Sequence, residues 1–223
     1  MPNRRPIRAR GTAEIGVELR AGRADGTVGV VGSRWQSDDR FASGEEYDST
    51  WRALAAEGKS IHGEADLVCR YEPRSVLDAG CGTGRVAIEM AARGIDVVGV
   101  DLDPTMIGHA RVKASDLRWI ENDLATVDVG RRFDVVVMAG NVMIFVAPQT
   151  ESAVVANMAR HVEPGGHLIA GFQLSRSFGI VAYDAAAAEA GLERVARFST
   201  WEGAAWASGD TYAVSVHRSP VEH

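Results

Sequence analysis

The sequence predicts an α/β protein whose doubly wound, mostly parallel sheet is covered by helices on its faces. Two observations carry this. From Arg74 onward, β-rich runs at 75–79, 96–100, 117–121, 133–139 and 167–172 alternate with helical stretches at about 85–93, 104–114, 149–161 and 181–190. A chain of 223 residues, 46% hydrophobic and 24% charged, also has room for one such domain with a modest appendage, and enough apolar content for a large core.

In chain order, residues 1–33 form a basic N-terminal arm, since seven arginines within 1–34 stand against three acids. Segments 14–20 and 27–31 suit a hairpin across the glycine-containing turn at 21–26. Residues 34–72 are expected to make a helical lid, in which 45–57 and 59–71 read as one or two helices that carry Trp51, Leu54, Ala55, Ile61, Ala65 and Val68 at apolar positions. Residues 73–223 form the sheet domain, in which Gly94 and Gly191 end the first and last helices. Pro164-Gly165-Gly166 reads as a turn ahead of the fifth strand. Final strands at 193–200 and 211–218, paired as an antiparallel hairpin, bring the count to seven.

A net charge of −6 argues against a phosphate-gripping surface, so a small-molecule partner is expected and no nucleic acid. The longest uncharged stretch, 135–150, holds Asn141, Pro148 and Gln149 and is too short and too broken to cross a bilayer. No apolar signal-peptide core follows the N-terminal arginines. Cys69 and Cys81 are too few for a disulfide framework and lack a metal spacing. The expectation is a cytoplasmic protein without membrane insertion, with a homodimer left open.

The chemistry begins where an apolar strand runs through a glycine-rich turn straight into a helix, from Val76 to Arg85. Glycines there allow close backbone approach, and the helix start offers unpaired N–H groups to an anion, a carboxylate or a phosphate alike. Asp78 would repel a pyrophosphate but would hold an ammonium group, so an amino acid satisfies both demands. The next strand ends in Asp101, placed to accept from ribose hydroxyls. After the third strand, Asp123 can accept from an exocyclic amine while Leu102 and Leu124 flank the ring. An amino acid joined to adenosine is S-adenosylmethionine in outline.

The strings LDAGCGTG, VDLD, NDL, FDVVVMAGN and EPGGHLIAGF, spread over about residues 60–218, together resemble the successive motifs of class I S-adenosylmethionine-dependent methyltransferases. The resemblance implies a Rossmann-like sheet of seven strands in the order 3-2-1-4-5-7-6, strand 7 antiparallel, with S-adenosylmethionine as cofactor and S-adenosylhomocysteine as product. It implies that Asp78, Gly80 and Gly82 hold the methionine part, with Cys81 a small residue of the turn between the glycines. It assigns the ribose to Asp101, the adenine to Asp123, Leu102 and Leu124, and the sulfonium end to Ala139 and Gly140.

Each position also has a purely structural reading. The glycines can serve a tight turn, and Asp101 and Asp123 can cap the following helices. In-line methyl transfer needs alignment more than side-chain chemistry, and a base only for an acceptor that holds its proton. His62, in the expected lid, is the histidine candidate for that role or an ordinary helix histidine; His109, His161, His167 and His217 suit packing or surface positions. Asn141 either orients the acceptor or bonds backbone. Trp35, Tyr47 and Trp51 face the acceptor or the core, and Trp201 and Trp206 line the pocket or pack against the lid. No Pro-Pro-aromatic motif, Pro-Cys pair or His/acid cluster follows the fourth strand, which leaves a small organic acceptor methylated at O, N or C without a metal. The alternatives are an NAD-dependent oxidoreductase, against which Arg85 stands where a third glycine is wanted, and a catalytically silent S-adenosylmethionine-binding protein.

Overall fold

A computed structural model describes residues 44–174 and 178–221. The arm at 1–33 with its hairpin, Trp35, the start of the lid segment and part of the segment after the fifth strand lie outside the described residues.

The strands are β1 (Ser75–Ala79), β2 (Asp96–Asp101), β3 (Arg118–Glu121), β4 (Phe133–Met138), β5 (Val162–Gln173), β6 (Glu193–Phe198) and β7 (Tyr212–Arg218). They form one seven-stranded sheet in the order β3-β2-β1-β4-β5-β7-β6. Pairings are parallel from β3 through β5, while β7 runs antiparallel to both β5 and β6. β1, β2 and β4 are apolar because helices cover both faces of a parallel sheet. Leu77 and Ala79 pack toward α6 (Glu151–Arg160) and α7 (Ile180–Glu189). Val76 packs the other way, toward α2 (Gly63–Cys69), α3 (Arg85–Ala92) and α4 (Pro104–Lys113). Strand alternation puts Asp78 on that same face, inside an otherwise apolar layer.

Three sequence expectations are corrected. Pro164-Gly165-Gly166 lies within β5, where pairing with β4 jumps from Phe133↔Val162 to Val135↔His167. Gly165, at φ 80°, lets the chain bulge and rejoin the ladder, and its N–H reaches the carbonyl of Ser219 on the C-terminal side of β7. A four-residue helix, α5 (Val142–Phe145), follows β4 where no element was expected. The expected helix at 59–71 contracts to α2, and α1 (Gly44–Ala56) precedes it, with Gly58 at φ 74° in the connection.

Gly99 in β2 marks a close approach. A Cβ there would stand 2.4 Å from the Trp119 ring of β3 and 3.0 Å from Cys81 Sγ. Trp119 cannot swing aside without losing the hydrogen bond from its Nε1–H to the Ala114 carbonyl, 2.7 Å. Gly99→Ala should therefore lower stability in urea unfolding by about 1–3 kcal/mol; an unchanged midpoint would show that the ring yields freely.

Candidate cofactor and active site

The strand order reverses between β1 and β4, and in open α/β sheets the crevice at the strand ends beside such a reversal takes ligands. β1 ends there in the glycine-rich turn. Gly80, Gly82 and Gly84 all have positive φ, at 82°, 54° and 84°. Their surroundings differ. A Cβ on Gly80 would strike Val142 of α5 at 2.4 Å and one on Gly84 would strike Trp119 at 2.6 Å, so both serve packing; a Cβ on Gly82 would meet nothing within 4 Å. Gly82 thus leaves its backbone open to an incoming group.

The turn is tied to β2. The Gly80 and Cys81 N–H groups donate to the Val100 carbonyl at 2.8 and 3.0 Å. Asp101 Oδ2 accepts from the Gly82 N–H at 2.8 Å, and its Oδ1 accepts from the Asp103 N–H at 2.9 Å. Each carboxylate oxygen retains a second lone pair for a ligand hydroxyl. The cap of α4 is Asp103, which accepts from the Thr105 and Met106 N–H groups, so Asp101 is not the helix cap.

Asp78 is 1% exposed, and its Oδ2 has no hydrogen-bond partner. Burial, with the neighbouring Asp101 and Glu64 adding to it, pushes its carboxyl up to about 7 against the opposing pull of Arg85 and the Ala87 N–H. A buried carboxyl with one unsatisfied oxygen is costly, and a cation placed against it removes that cost. The Cys81 thiol is pushed well above its ordinary value, chiefly by burial and then by Asp78 and Asp101, so the turn holds no thiolate nucleophile.

Around this floor the other expected residues take varied places. Asp123 is partly buried, and its Oδ1 accepts from the Ala125 N–H at 2.8 Å. Leu124 is buried in the core beneath β3, whereas Leu102 is half-buried at the end of β2. Ala139 is buried; Gly140, at φ 69°, is exposed, and the nearest atom to a Cβ there would be the Tyr47 hydroxyl at 3.9 Å. Asn141 Oδ1 accepts from the Gln173 N–H at 2.9 Å, tying the end of β4 to β5. Trp51 stacks over the Arg85 guanidinium, 3.7 Å from ring centroid to Cζ. Trp201 is buried over Gly171 and donates to the Tyr212 hydroxyl at 2.9 Å. Trp206 lies against Arg197, 5.3 Å from ring centroid to Cζ.

His62 sits ahead of α2 with Nδ1 3.4 Å from a Glu89 carboxylate oxygen. Glu89 is a full turn beyond Arg85 along α3, so this contact draws His62 away from the strand ends. His161 is a core group, with Nδ1 2.8 Å from the Asn157 carbonyl and Nε2 accepting from the Val129 N–H at 3.2 Å.

Sequence reasoning passed over Glu64, which joins α2 to the start of α3 beside the glycine-rich turn. Glu64 of α2 pairs with both terminal nitrogens of Arg85, at 3.1 and 2.5 Å, and Arg85 also donates to the Ile61 carbonyl. Arg85, at the position that weighed against a dinucleotide turn, is the point where α1, α2 and α3 meet. No local pattern marks such a contact, because its partners lie more than twenty residues upstream.

A methyltransferase-domain sequence profile matches residues 76–166. The chain is 36% identical to a TehB-like S-adenosylmethionine-dependent methyltransferase of Corynebacterium glutamicum, covering 78% of this chain and 96% of that one with a TM-score of 0.73. The chain belongs to the class I S-adenosylmethionine-dependent methyltransferases. Within this methyltransferase family it is 35% identical over 118 residues to a dTDP-3-amino-3,4,6-trideoxy-alpha-D-glucopyranose N,N-dimethyltransferase of Streptomyces venezuelae, covering 52% of this chain and 48% of that protein. It is also 35% identical over 147 residues to a ubiquinone biosynthesis O-methyltransferase of Alkalilimnicola ehrlichii, covering 59% of this chain and 58% of that protein. It therefore spans about half the length of these two relatives.

The family's cofactor fits the residues present: Asp78 Oδ2 is buried and unpartnered, a Cβ on Gly82 would meet open space, and each Asp101 oxygen retains a lone pair. The pH dependence of Asp78 follows in sign. A carboxyl that holds its proton more tightly when folded favours the native state fully below its ordinary value of 3.8, and this advantage is lost as pH rises through about 7. Between pH 5 and 8 the melting temperature of the ligand-free protein should fall further in the unaltered chain than in Asp78→Asn. Parallel curves would show that Asp78 is not the titrating group.

Proposed function

We propose that the chain transfers a methyl group from S-adenosylmethionine to a nitrogen, oxygen or carbon nucleophile of a small organic acceptor. The observation that carries this reading is the unpartnered oxygen of buried Asp78 beside the open Gly82 backbone, with Asp101 one strand away. Asp78 and the turn would hold the amino-acid end, Asp101 the ribose, and Asp123 with Leu102 the adenine. Ala139 and Gly140 would border the reacting end, beneath the Tyr47 hydroxyl. When bound, the cofactor supplies a methyl group made electrophilic by a positively charged sulfur.

The chain's own residues then align and shield. The described part of the lid segment, from α1 through α2, acts as the cover, with Trp51 stacked on Arg85 and Tyr47 over Gly140. Burial raises the Tyr47 phenol above its ordinary value, so it acts as a protonated hydroxyl and not as a base near neutral pH. The backbone bond made by Asn141 favours its holding the β4 end over its binding an acceptor. The amino-sugar N,N-dimethyltransferase and quinone O-methyltransferase among the relatives support a nitrogen or oxygen acceptor first. Both cysteines are free thiols, which suits the reducing cytoplasm. No described helix is long and apolar enough to cross a membrane.

Calorimetric titration with S-adenosylmethionine, S-adenosylhomocysteine and NAD should show binding of the first two alone. Asp101→Ala should weaken that binding by about 1–3 kcal/mol, roughly five- to 150-fold, through loss of a hydrogen-bonded carboxylate. NAD binding alone would overturn the reading, and unchanged affinity in a folded Asp101→Ala variant would overturn the ribose assignment.

A further inference from the structure

Helix α1 covers the site, yet only Gly44 among its residues is fully buried, with Tyr47 and Asp48 half-buried. What holds it is polar. Asp48 Oδ1 accepts from the Thr83 hydroxyl at 2.6 Å, and Lys113 Nζ, from the last residue of α4, stands 3.0 and 2.8 Å from the two Asp48 oxygens. Thr83 is fully buried in the glycine-rich turn, between Gly82 and Gly84. The Asp48 side chain is 13% exposed, so this is not a solvated surface pair. A hydroxyl donating to a carboxylate in such a place is a strong hydrogen bond. One residue before Asp48, Tyr47 reaches over Gly140; three residues after it, Trp51 covers Arg85.

An element with little fully buried apolar surface opens more readily than the sheet beneath it, and these are among the contacts it would break on opening. We propose that Asp48 is a positioning residue that latches α1 onto the cofactor-binding turn through Thr83 and Lys113, setting Tyr47 over Gly140 and limiting the rate at which cofactor and product exchange. The proposal rests on the S-adenosylmethionine reading and adds to it the residue that controls access. A latch acts on the free and the loaded protein alike. Releasing it lets ligand enter faster as well as leave faster, so affinity changes less than either rate.

The test is stopped-flow tryptophan fluorescence with S-adenosylhomocysteine on the full chain, using Asp48→Ala, Asp48→Asn and Lys113→Gln, each checked for an intact thermal transition. Asp48→Ala should raise both association and dissociation rates on the order of tenfold, the range expected for losing a hydrogen bond to a charged group. Asp48→Asn keeps an acceptor for Thr83 and should fall between it and the unaltered chain; Lys113→Gln should shift both rates in the same sense. Unchanged rates, or faster dissociation alone with affinity weakened in proportion, would overturn the latch. If Asp48→Ala does not fold, the other two variants decide by the same pair of rates. An unaltered chain that fails to bind S-adenosylhomocysteine would overturn the cofactor reading, and the latch with it, which is distinct from binding with unchanged exchange.

Discussion

The Asp78 carboxyl is buried at the end of β1 with one oxygen unpartnered, on the sheet face that otherwise packs Val76 against α2, α3 and α4. The cost of that burial is visible in how firmly the group holds its proton, with a carboxyl pushed up to about 7. The surrounding groups bear on that balance. Arg85 pulls Asp78 toward ionisation, but its guanidinium is already paired with Glu64 and stacked under Trp51. The positive charge that Arg85 brings is thus largely committed to Glu64 and Trp51.

The same few contacts that shape the ligand floor also build its roof. Asp101 accepts from the Gly82 N–H and from the Asp103 N–H, so the end of β2 and the glycine-rich turn are tied together. Thr83 in that turn carries Asp48 of α1, and Arg85 at its end carries Trp51, Glu64 and Ile61 of the lid. The glycine-rich turn and α1 are therefore coupled at two residues, Thr83 and Arg85, while α2 also packs Ala65, Leu67 and Val68 into the core.

The sequence made some of this legible and hid the rest for physical reasons. β1, β2 and β4 stood out because burial on both faces demands unbroken apolar runs. Asp78, Gly80, Gly82 and Asp101 stood out because a turn needing positive φ and an acid at the next strand end leave a fixed spacing. Asp48 and Glu64 did not, since their partners Thr83 and Arg85 lie 35 and 21 positions away and no short-range pattern encodes such pairs. Pro164-Gly165-Gly166 reads as a turn because a regular strand excludes proline, whereas the bulge within β5 accepts it. Leu124 reads as a ring-flanking residue from its place after β3, but the same apolar side chain satisfies the core.

The central claim, that Asp78 receives the ammonium of the cofactor's amino-acid end, is tested most directly by a two-by-two comparison. Dissociation constants would be measured at pH 8 for S-adenosylhomocysteine and its desamino analogue, each with the unaltered chain and with Asp78→Asn. The account predicts that removing the ammonium weakens binding strongly to the unaltered chain and far less to the variant, because the two losses are one interaction. An equal loss on both proteins would contradict it and place the ammonium elsewhere.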